Sequence, residues 1–228
     1  MEINTLACMD CIEFMAGLPD KSVDLIIADP PYPGRKDRGG GKGKLREWLS
    51  QMPRLSNKAI IKWSAIALPE AAQSIPDGYK WQHTMVWYKT WTNARHWVLG
   101  IYPHWEALLV LGTGARRGEL KDVQDVIFDK TLRHGMREDI GHDMQSPESL
   151  IEFIIRAFSM PGDLILDPFV GSGTVPVVAQ KTGRNFVGCE RDRYWYSKAL
   201  ARIESQQIKL PEIKYDELYQ PGRLPGWY

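Results

Sequence analysis

The stretch LILDPFVGSGTVPVVAQ, residues 164–180, joins a short apolar run to a glycine turn and a second apolar run. The first run predicts a strand over residues 163–166, and the second a helix over residues 173–181. Gly171 and Gly173 between them allow the backbone to approach a ligand closely at the start of the helix. The stretch therefore predicts a strand, a ligand-binding turn and a helix in succession.

The same alternation continues along the chain. Apolar runs predict further strands at residues 22–28, 58–63 and 185–189, and a strand pair at 81–89 and 105–111. Helices are predicted at residues 69–74, 147–159 and 192–206. Strands alternating with helices indicate an α/β fold with a mostly parallel sheet. Because neither an internal repeat nor a linker interrupts residues 1–228, we expect a single domain.

Glu190 follows the strand predicted at residues 185–189. A carboxylate at that place in a Rossmann-like sheet can accept hydrogen bonds from both hydroxyls of a ribose. Pro176 occupies the third glycine position of the dinucleotide fingerprint, which disfavours a nicotinamide cofactor. A structural loop would account for the glycine turn alone, and a solvated strand end for Glu190 alone. Their spacing across one strand–helix–strand unit favours a nucleoside cofactor.

A second motif, Asp29-Pro30-Pro31-Tyr32, ends the strand predicted at residues 22–28. Open α/β sheets bind ligands at the carboxyl ends of their strands. Asp29 and the carbonyl of Pro30 can accept both hydrogens of an exocyclic base amine, whose lone pair is otherwise delocalised into the ring. The peptide bond before Pro31 offers no competing donor, and Tyr32 offers a flat surface for an extruded base. The motif predicts a catalytic site for an amine.

The two motifs and their flanks, CMDCIEFMAGLPDKSVDLIIADPPY (residues 8–32) and GDLILDPFVGSGT (residues 162–174), resemble the permuted beta group of DNA amino-methyltransferases. In that group the DPPY motif precedes the glycine motif, as it does here. The resemblance covers most of the chain. It implies a Rossmann-like methyltransferase sheet in circularly permuted order, with the strand pair at residues 81–111 as an antiparallel edge hairpin. It also implies S-adenosyl-L-methionine as cofactor and double-stranded DNA as partner.

The resemblance further implies a set of cofactor-binding residues in this chain. Residues 142–147, HDMQSP, are similar to the family's HPTQKP, with Ser146 in place of its lysine. The cofactor is expected to lie among Asp10, Cys11, Asp29, Gln145, Ser146, Pro147, Asp167, Pro168, Phe169, Gly171, Ser172, Gly173, Thr174 and Glu190.

Basic residues are concentrated directly after Tyr32. The glycine-rich segment 33–47 lacks apolar periodicity, predicts a mobile loop, and holds Arg35, Lys36, Arg38, Lys42, Lys44 and Arg46. We expect it to clamp DNA phosphates over an extruded base. The charged turn TWTNARHW, residues 90–97, and the lysine just before it supply three further candidate DNA contacts: Lys89, Trp91 and Arg95.

Residues 112–141 are the only segment left for target recognition between the two halves of the chain. Because this candidate insert is short, we predict a short or relaxed recognition sequence, or recognition that is shared across a homodimer.

Composition limits the remaining possibilities. A net charge of +1 gives no overall basic character, so DNA contacts must be local. No apolar run is long enough to cross a membrane, and the first residues lack the pattern of a signal peptide. Cys8, Cys11 and Cys189 are too few for a disulfide scaffold or a zinc site. We therefore expect a cytoplasmic protein that needs neither a membrane nor a metal.

The identity of the target leaves alternatives. In the resembling family, aspartate at the first position of the DPPY motif is the usual form for adenine N6, and serine is usual for cytosine N4. Adenine N6 is therefore the predicted target and cytosine N4 the alternative, since both amines pose the same chemical problem. An amine of RNA or of a protein, and a non-catalytic DNA-binding module, are further alternatives.

Overall fold

The structure is a computed structural model that describes residues 1–31, 42–89, 100–129 and 145–205, with only the backbone for residues 42–45 and 129. In these ranges the chain forms one sheet of eight strands in the order β1-β8-β7-β2-β3-β5-β4-β6. The strands are β1 (Thr5–Ala7), β2 (Leu25–Ala28), β3 (Lys58–Ser64), β4 (Lys80–Lys89), β5 (Trp105–Gly112), β6 (Val126–Asp129), β7 (Leu164–Asp167) and β8 (Asn185–Cys189).

The sheet is mostly parallel, which confirms the α/β prediction. Strands β1, β8, β7, β2 and β3 pair in parallel, and β5 pairs antiparallel with both β3 and β4. The glycine-motif strand β7 and the DPPY-motif strand β2 are neighbours at the centre of the sheet. That this order is a circular permutation stays a prediction.

The predicted antiparallel edge hairpin is wrong in one respect. Strands β4 and β5 pair antiparallel as predicted, but β6 pairs in parallel with the outer side of β4 and is the last strand of the sheet. An unpaired ten-residue strand would leave a row of open backbone groups, which β6 partly covers. Because β6 lies inside residues 112–141, part of the candidate recognition insert belongs to the sheet.

Six α-helices cover the two faces of the sheet in the described ranges. On one face lie α1 (Cys11–Ala16), α2 (Lys42–Leu55) and α3 (Leu68–Ala72); on the other lie α4 (Glu148–Phe158), α5 (Thr174–Lys181) and α6 (Arg193–Ser205). Strand β2 alternates between the two cores, with Leu25 and Ile27 facing α4 and with Ile26 and Ala28 facing α2. In the same part of the chain, no helix is long and apolar enough to cross a membrane.

Helix α2 corrects the predicted boundary of the basic loop. Residues 42–47 were expected to be the end of a mobile loop over residues 33–47, but they form the first turns of α2. The helix forms because Trp48, Leu49, Met52 and Leu55 recur at helical spacing and are all buried. The remaining loop residues, 33–41, lie outside the described residues.

Truncation of Met52 tests the packing of α2. This side chain is fully buried between α2 and the sheet, so Met52→Ala should lower the free energy of unfolding by about 2–5 kcal/mol. Urea unfolding followed by circular dichroism measures the change. Ser50→Ala, on the exposed side of the same helix, is the matched control and should change stability by less than about 0.5 kcal/mol. Equal losses in both variants would contradict the packing of α2.

Candidate active site

The predicted site residues meet at the carboxyl edge of the parallel strands. Asp29 follows β2, Asp167 ends β7, Glu190 follows β8, and Asp10 lies shortly after β1. Because these four strands are parallel, their carboxyl ends share one edge of the sheet. The fold thus brings together two motifs that are more than a hundred residues apart in sequence.

The glycine turn after β7 is tightly folded. The N–H of Phe169 donates to Asp167 Oδ1 at 2.9 Å, and the N–H of Gly173 donates to the carbonyl of Val170 at 2.9 Å. Gly171 and Gly173 have φ values of 51° and 82°, a left-handed conformation that favours glycine. A Cβ on Gly173 would lie 3.1 Å from Ala199 Cβ of α6. This turn therefore brings bare backbone to the start of α5, as the sequence predicts.

Glu190 connects this turn to the end of β8. Its Oε2 accepts the N–H of Gly171 at 2.9 Å, and its Oε1 accepts the N–H of Asp192 at 2.9 Å. Each carboxylate oxygen can accept more than one hydrogen bond, so a ligand hydroxyl can still bind there. Glu190 both fixes the glycine turn and presents acceptors at the edge of the sheet.

The hydroxyls of Ser172 and Thr174 point into the protein. Both residues are buried, and their Oγ atoms lie 3.2 Å apart. Beneath them lies Arg202 of α6, whose guanidinium donates to the Ser172 carbonyl at 3.1 Å and to Glu148 of α4 at 2.7 Å. Sequence reasoning missed Arg202, which supports the turn from below. A ligand would therefore meet the backbone of Ser172 and Thr174 and not their side chains.

Two predicted site residues, Asp10 and Cys11, follow β1 and are held by local contacts. Asp10 Oδ1 accepts the N–H of Ile12 at 2.9 Å and so caps the start of α1. Burial, and next the negative charge of Asp10, raises the pKa of the Cys11 thiol to about 11. Burial also raises the pKa of Cys189. Both thiols therefore stay protonated at neutral pH, as expected for structural cysteines.

Asp29 is held by residues from two other parts of the chain. Its Oδ2 lies 2.6 Å from Nζ of Lys62 on β3 and accepts a hydrogen bond from the Ser146 hydroxyl at 3.4 Å. Ser146 Oγ in turn accepts from Lys62 Nζ at 2.9 Å. Among the described residues, Asp29 Oδ1 has no hydrogen-bonding partner and can accept from a ligand. Tyr32 lies outside the described residues.

The predicted segment 145–147 therefore reaches the site through its serine. Pro147 is the residue before α4 and is buried, and the half-buried Gln145 precedes them. Lys62 was missed by sequence reasoning. The lysine lies inside a strand, and the apolar pattern of that strand gave no sign that its ammonium faces Asp29.

Asp167 is the most deeply buried carboxyl at this edge, with 3% of the residue exposed. Burial raises the pKa of Asp167 to about 8, and the negative charges of Asp29 and Glu190 add to the rise, while the Phe169 N–H opposes it. A cationic group placed beside Asp167 would favour the ionised carboxylate. The edge thus offers a good environment for a positively charged ligand.

The predicted DNA contacts are only partly covered by the structure. Arg46, at the exposed side of α2, donates to the carbonyl of Gln73 at 3.0 Å. Lys89 Nζ lies 2.7 Å from Glu106 Oε1 and is largely buried, so an internal ion pair occupies this predicted contact. Lys42 and Lys44 lie in the first turns of α2, whose side chains there are not described. Arg35, Lys36, Arg38, Trp91 and Arg95 lie outside the described residues.

Within the ranges that the structure covers, no group of three or more histidine, cysteine, aspartate or glutamate side chains is arranged to hold a metal ion. The carboxylates at the edge are instead engaged by backbone N–H groups or by Lys62. Their arrangement suits an organic ligand with a cationic part and hydroxyl groups.

Comparison with known proteins decides the family. A family model described as DNA methylase matches residues 23–201, which include both motifs. The chain belongs to the DNA methylase family. It is 30% identical to YubD of Escherichia coli (strain K12) over 226 residues, covering 93% of this chain and 96% of YubD.

Solved structures agree with this assignment. The M1.HpyAVI–SAM complex superimposes with a TM-score of 0.67 at 25% identity, covering 87% of this DNA methylase and 98% of that chain. The cytosine-N4-specific PvuII DNA methyltransferase superimposes with a TM-score of 0.68 at 14% identity, covering 94% of this chain and 89% of that chain. The second likeness shows that the fold is a methyltransferase fold and leaves the target base open.

The raised pKa of Asp167 predicts an unusual dependence of stability on pH. In the unfolded chain this carboxyl has a pKa near 3.9, so folding takes up a proton between about pH 4 and pH 8. Stability should therefore fall as pH rises through this window, by at most about 1.4 kcal/mol per pH unit. Asp167→Asn removes this loss. The free energy of unfolding of the variant should therefore rise steadily relative to that of the wild-type protein from pH 5 to pH 8.

Urea unfolding at a series of pH values measures the difference between Asp167→Asn and the wild-type protein. The control is Asp77→Asn, which removes an exposed carboxylate instead of a buried one. A stability difference for Asp167→Asn that is the same at pH 5 and pH 8 would contradict the raised pKa.

Proposed function

We propose that this DNA methylase transfers a methyl group from S-adenosyl-L-methionine to the N6 amine of an adenine extruded from double-stranded DNA. The observation that carries the proposal is the position of Asp29. It lies at the end of β2 beside β7, whose glycine turn and buried Asp167 form the adjoining half of the same edge. An amine acceptor thus lies next to a turn suited to a nucleoside.

The residues at the edge fit the proposed cofactor. S-adenosyl-L-methionine supplies an activated methyl group on a positively charged sulphur. The buried Asp167 suits its positive charge, Asp10 would lie near its adenine ring, and Glu190 suits its ribose hydroxyls. The bare backbone of Gly171 and Gly173 leaves room for its methionine part. The complex of the similar M1.HpyAVI with SAM supports this assignment.

Asp29 and the carbonyl of Pro30 would accept the two hydrogens of the target amine. These hydrogen bonds favour a pyramidal nitrogen whose lone pair is turned out of the ring and available for attack. A strong base is unnecessary, because the methylated amine is acidic and loses its proton afterwards. Asp29 Oδ2 is already fixed by Lys62 and Ser146, so Oδ1 is the oxygen that would accept from the amine.

Adenine is favoured over cytosine because aspartate begins the DPPY motif, as in the usual adenine form of the resembling family. The test is incubation of the protein with labelled S-adenosyl-L-methionine and DNA, followed by mass spectrometry of the nucleosides. N6-methyladenine is the expected product. N4-methylcytosine would overturn the base assignment, and cofactor binding without any product would favour a non-catalytic DNA-binding module.

Removal of the Asp29 carboxylate tests the mechanism. Asp29→Ala should lower the single-turnover rate by about a hundredfold or more, because it removes an acceptor positioned for the transition state. Its dissociation constant for S-adenosyl-L-methionine should change little, since the glycine turn and Glu190 are intact. Rapid quench and isothermal titration calorimetry measure the two quantities. Full activity in this variant would refute the mechanism.

The basic segment after Tyr32 is proposed to bind phosphates. In sequence, Arg35, Lys36 and Arg38 lie between the proposed acceptor Asp29 and the start of α2. Residues 112–141, with β6 inside them, remain the proposed recognition segment. A homodimer and a cytoplasmic location remain predictions as well.

Substitution of Arg35, Lys36 and Arg38 by glutamine should weaken DNA binding and reduce its dependence on salt. Each lost phosphate contact should reduce the slope of log K against log salt concentration by about 0.9. Fluorescence anisotropy with labelled duplex measures the slope. Lys80→Gln is the control, because Lys80 begins β4 at the opposite edge of the sheet. An unchanged slope in the triple variant would exclude the clamp.

A further inference from the structure

Four charged side chains of alternating sign cross the sheet next to the proposed acceptor. They are Asp29 after β2, Lys62 on β3, Glu106 on β5 and Lys89 on β4, and these four strands are adjacent in that order. Lys62 Nζ lies 2.6 Å from Asp29 Oδ2 and 3.6 Å from Glu106 Oε2. Lys89 Nζ lies 2.7 Å from Glu106 Oε1. We call these four residues the charge row.

The alternation of side chains along the strands places the charge row on one face. Ile60, Leu108 and Trp87 each lie two residues before or after a member of the row and belong to the core under α4. The row therefore occupies the next level of that face, at the carboxyl edge. The ring of Trp87 lies 5.4 Å from Lys62 Nζ and 5.6 Å from Lys89 Nζ, which adds a cation–π contact to each lysine.

Lys62 is the central member of the row. Its side chain is only 9% exposed, so its ammonium must find partners inside the protein. Three oxygen atoms surround it: Oδ2 of Asp29, Oγ of Ser146 and Oε2 of Glu106. The contacts with Asp29 and Ser146 are within hydrogen-bonding distance, whereas the contact with Glu106 at 3.6 Å is an ion pair without a hydrogen bond. Lys62 is therefore engaged by groups of the protein itself.

We propose that Lys62 is a positioning residue for methyl transfer, which keeps the Asp29 carboxylate ionised and oriented so that Oδ1 faces the target amine. This role rests on the proposed function of Asp29 as the amine acceptor. Glu106 and Lys89 hold the Lys62 ammonium in place from the far side. The row thereby connects the antiparallel part of the sheet to the proposed chemistry.

The charges around Asp29 explain why it needs Lys62. Asp167 on β7 and Glu106 on β5 are acidic, Ser146 before α4 is neutral, and Lys62 is the one cation that contacts Asp29 among the described residues. Burial raises the pKa of Asp29, and Lys62 opposes the rise. Without Lys62, burial and the negative charge of Glu106 would favour a protonated Asp29, which loses an acceptor site.

Lys62→Met tests the proposal by its pH profile. The variant keeps an unbranched side chain of four heavy atoms in place of the stem of the lysine and removes the ammonium. The acidic limb of the single-turnover rate should move upward by about one to three pH units, so the rate below the limb should fall by about ten- to a thousandfold. At higher pH the rate should largely recover. The dissociation constant for S-adenosyl-L-methionine should stay within about threefold of the wild-type value.

Two further variants separate this role from a purely structural one. Lys62→Met with Glu106→Gln restores the net charge of the row but leaves Asp29 unpaired, so its acidic limb should stay above that of the wild-type protein and lie somewhat below that of Lys62→Met, because Glu106 no longer raises the pKa of Asp29. Glu106→Gln alone keeps the pair of Lys62 with Asp29 and should not move the limb upward. Thermal melts of all variants report folding independently of the rates.

Several results would overturn the proposal. An unchanged pH profile in Lys62→Met, or a uniform loss of rate at all pH values with a lower melting temperature, would leave Lys62 with only a structural role. Weaker cofactor binding without a shifted limb would assign Lys62 to the cofactor instead. In each of these cases, the proposed function would still stand if Asp29→Ala were inactive. Full activity of Asp29→Ala would overturn the proposed function itself.

Discussion

Parallel pairing of β2 on both of its sides is the constraint on which the site depends. Ala28 pairs with Ile61 of β3, so the next residues, Asp29 and Lys62, are neighbours. On the other side β2 pairs with β7, and Asp167 ends that strand. All four residues of β2 are buried, and a slip of one residue would exchange its two apolar faces and turn Asp29 away from Lys62. The same register that packs the core therefore assembles the chemistry.

This register concentrates carboxylates at one edge, and the protein stabilises each of them differently. Asp10 accepts a backbone N–H at the start of α1, and Glu190 accepts two such groups. Asp29 is paired with an ammonium, whereas Asp167 has a single backbone donor and a pKa raised by burial to about 8. A cation bound at the edge would favour the ionised form of Asp167. Asp10 and Glu190 thus contribute to folding through backbone hydrogen bonds, whereas Asp167 lowers stability as pH rises and suits a cationic ligand.

The sequence predicts the elements that have strong local signals. Strands β2 and β7 are apolar runs ended by aspartate, and their motif residues do lie at one edge. Helix α2 was missed because its glycine and lysine residues conceal the apolar positions Trp48 to Leu55. Lys62 and Arg202 were missed because a charged side chain within an apolar pattern is easily taken for a solvent-exposed one. The partners of these two side chains come from distant parts of the chain and are brought to them only by folding.

Such charges nevertheless carry a usable signal. Strand β3 is buried on both faces, so a lysine within it must be paired, because an unpaired buried ammonium is strongly unfavourable. The missing information is the identity of the partner, which depends on strand order. Here the order places β5 next to β3 and brings Glu106 to Lys62. A parallel neighbour at that position would have placed a different residue against the ammonium.

Ser146 shows how the site accommodates its departure from the similar segment HPTQKP, which has lysine at this position. Ser146 Oγ lies 2.9 Å from Lys62 Nζ, so a positive charge is already present there, supplied by β3. A second ammonium placed where the Ser146 hydroxyl lies would be repelled by Lys62. A hydroxyl is compatible, because it accepts from Lys62 and donates to Asp29 at 3.4 Å. Ser146 and Lys62 thus fit together beside the Asp29 carboxylate: Lys62 supplies the positive charge, and Ser146 bridges the ammonium and the carboxylate through its hydroxyl.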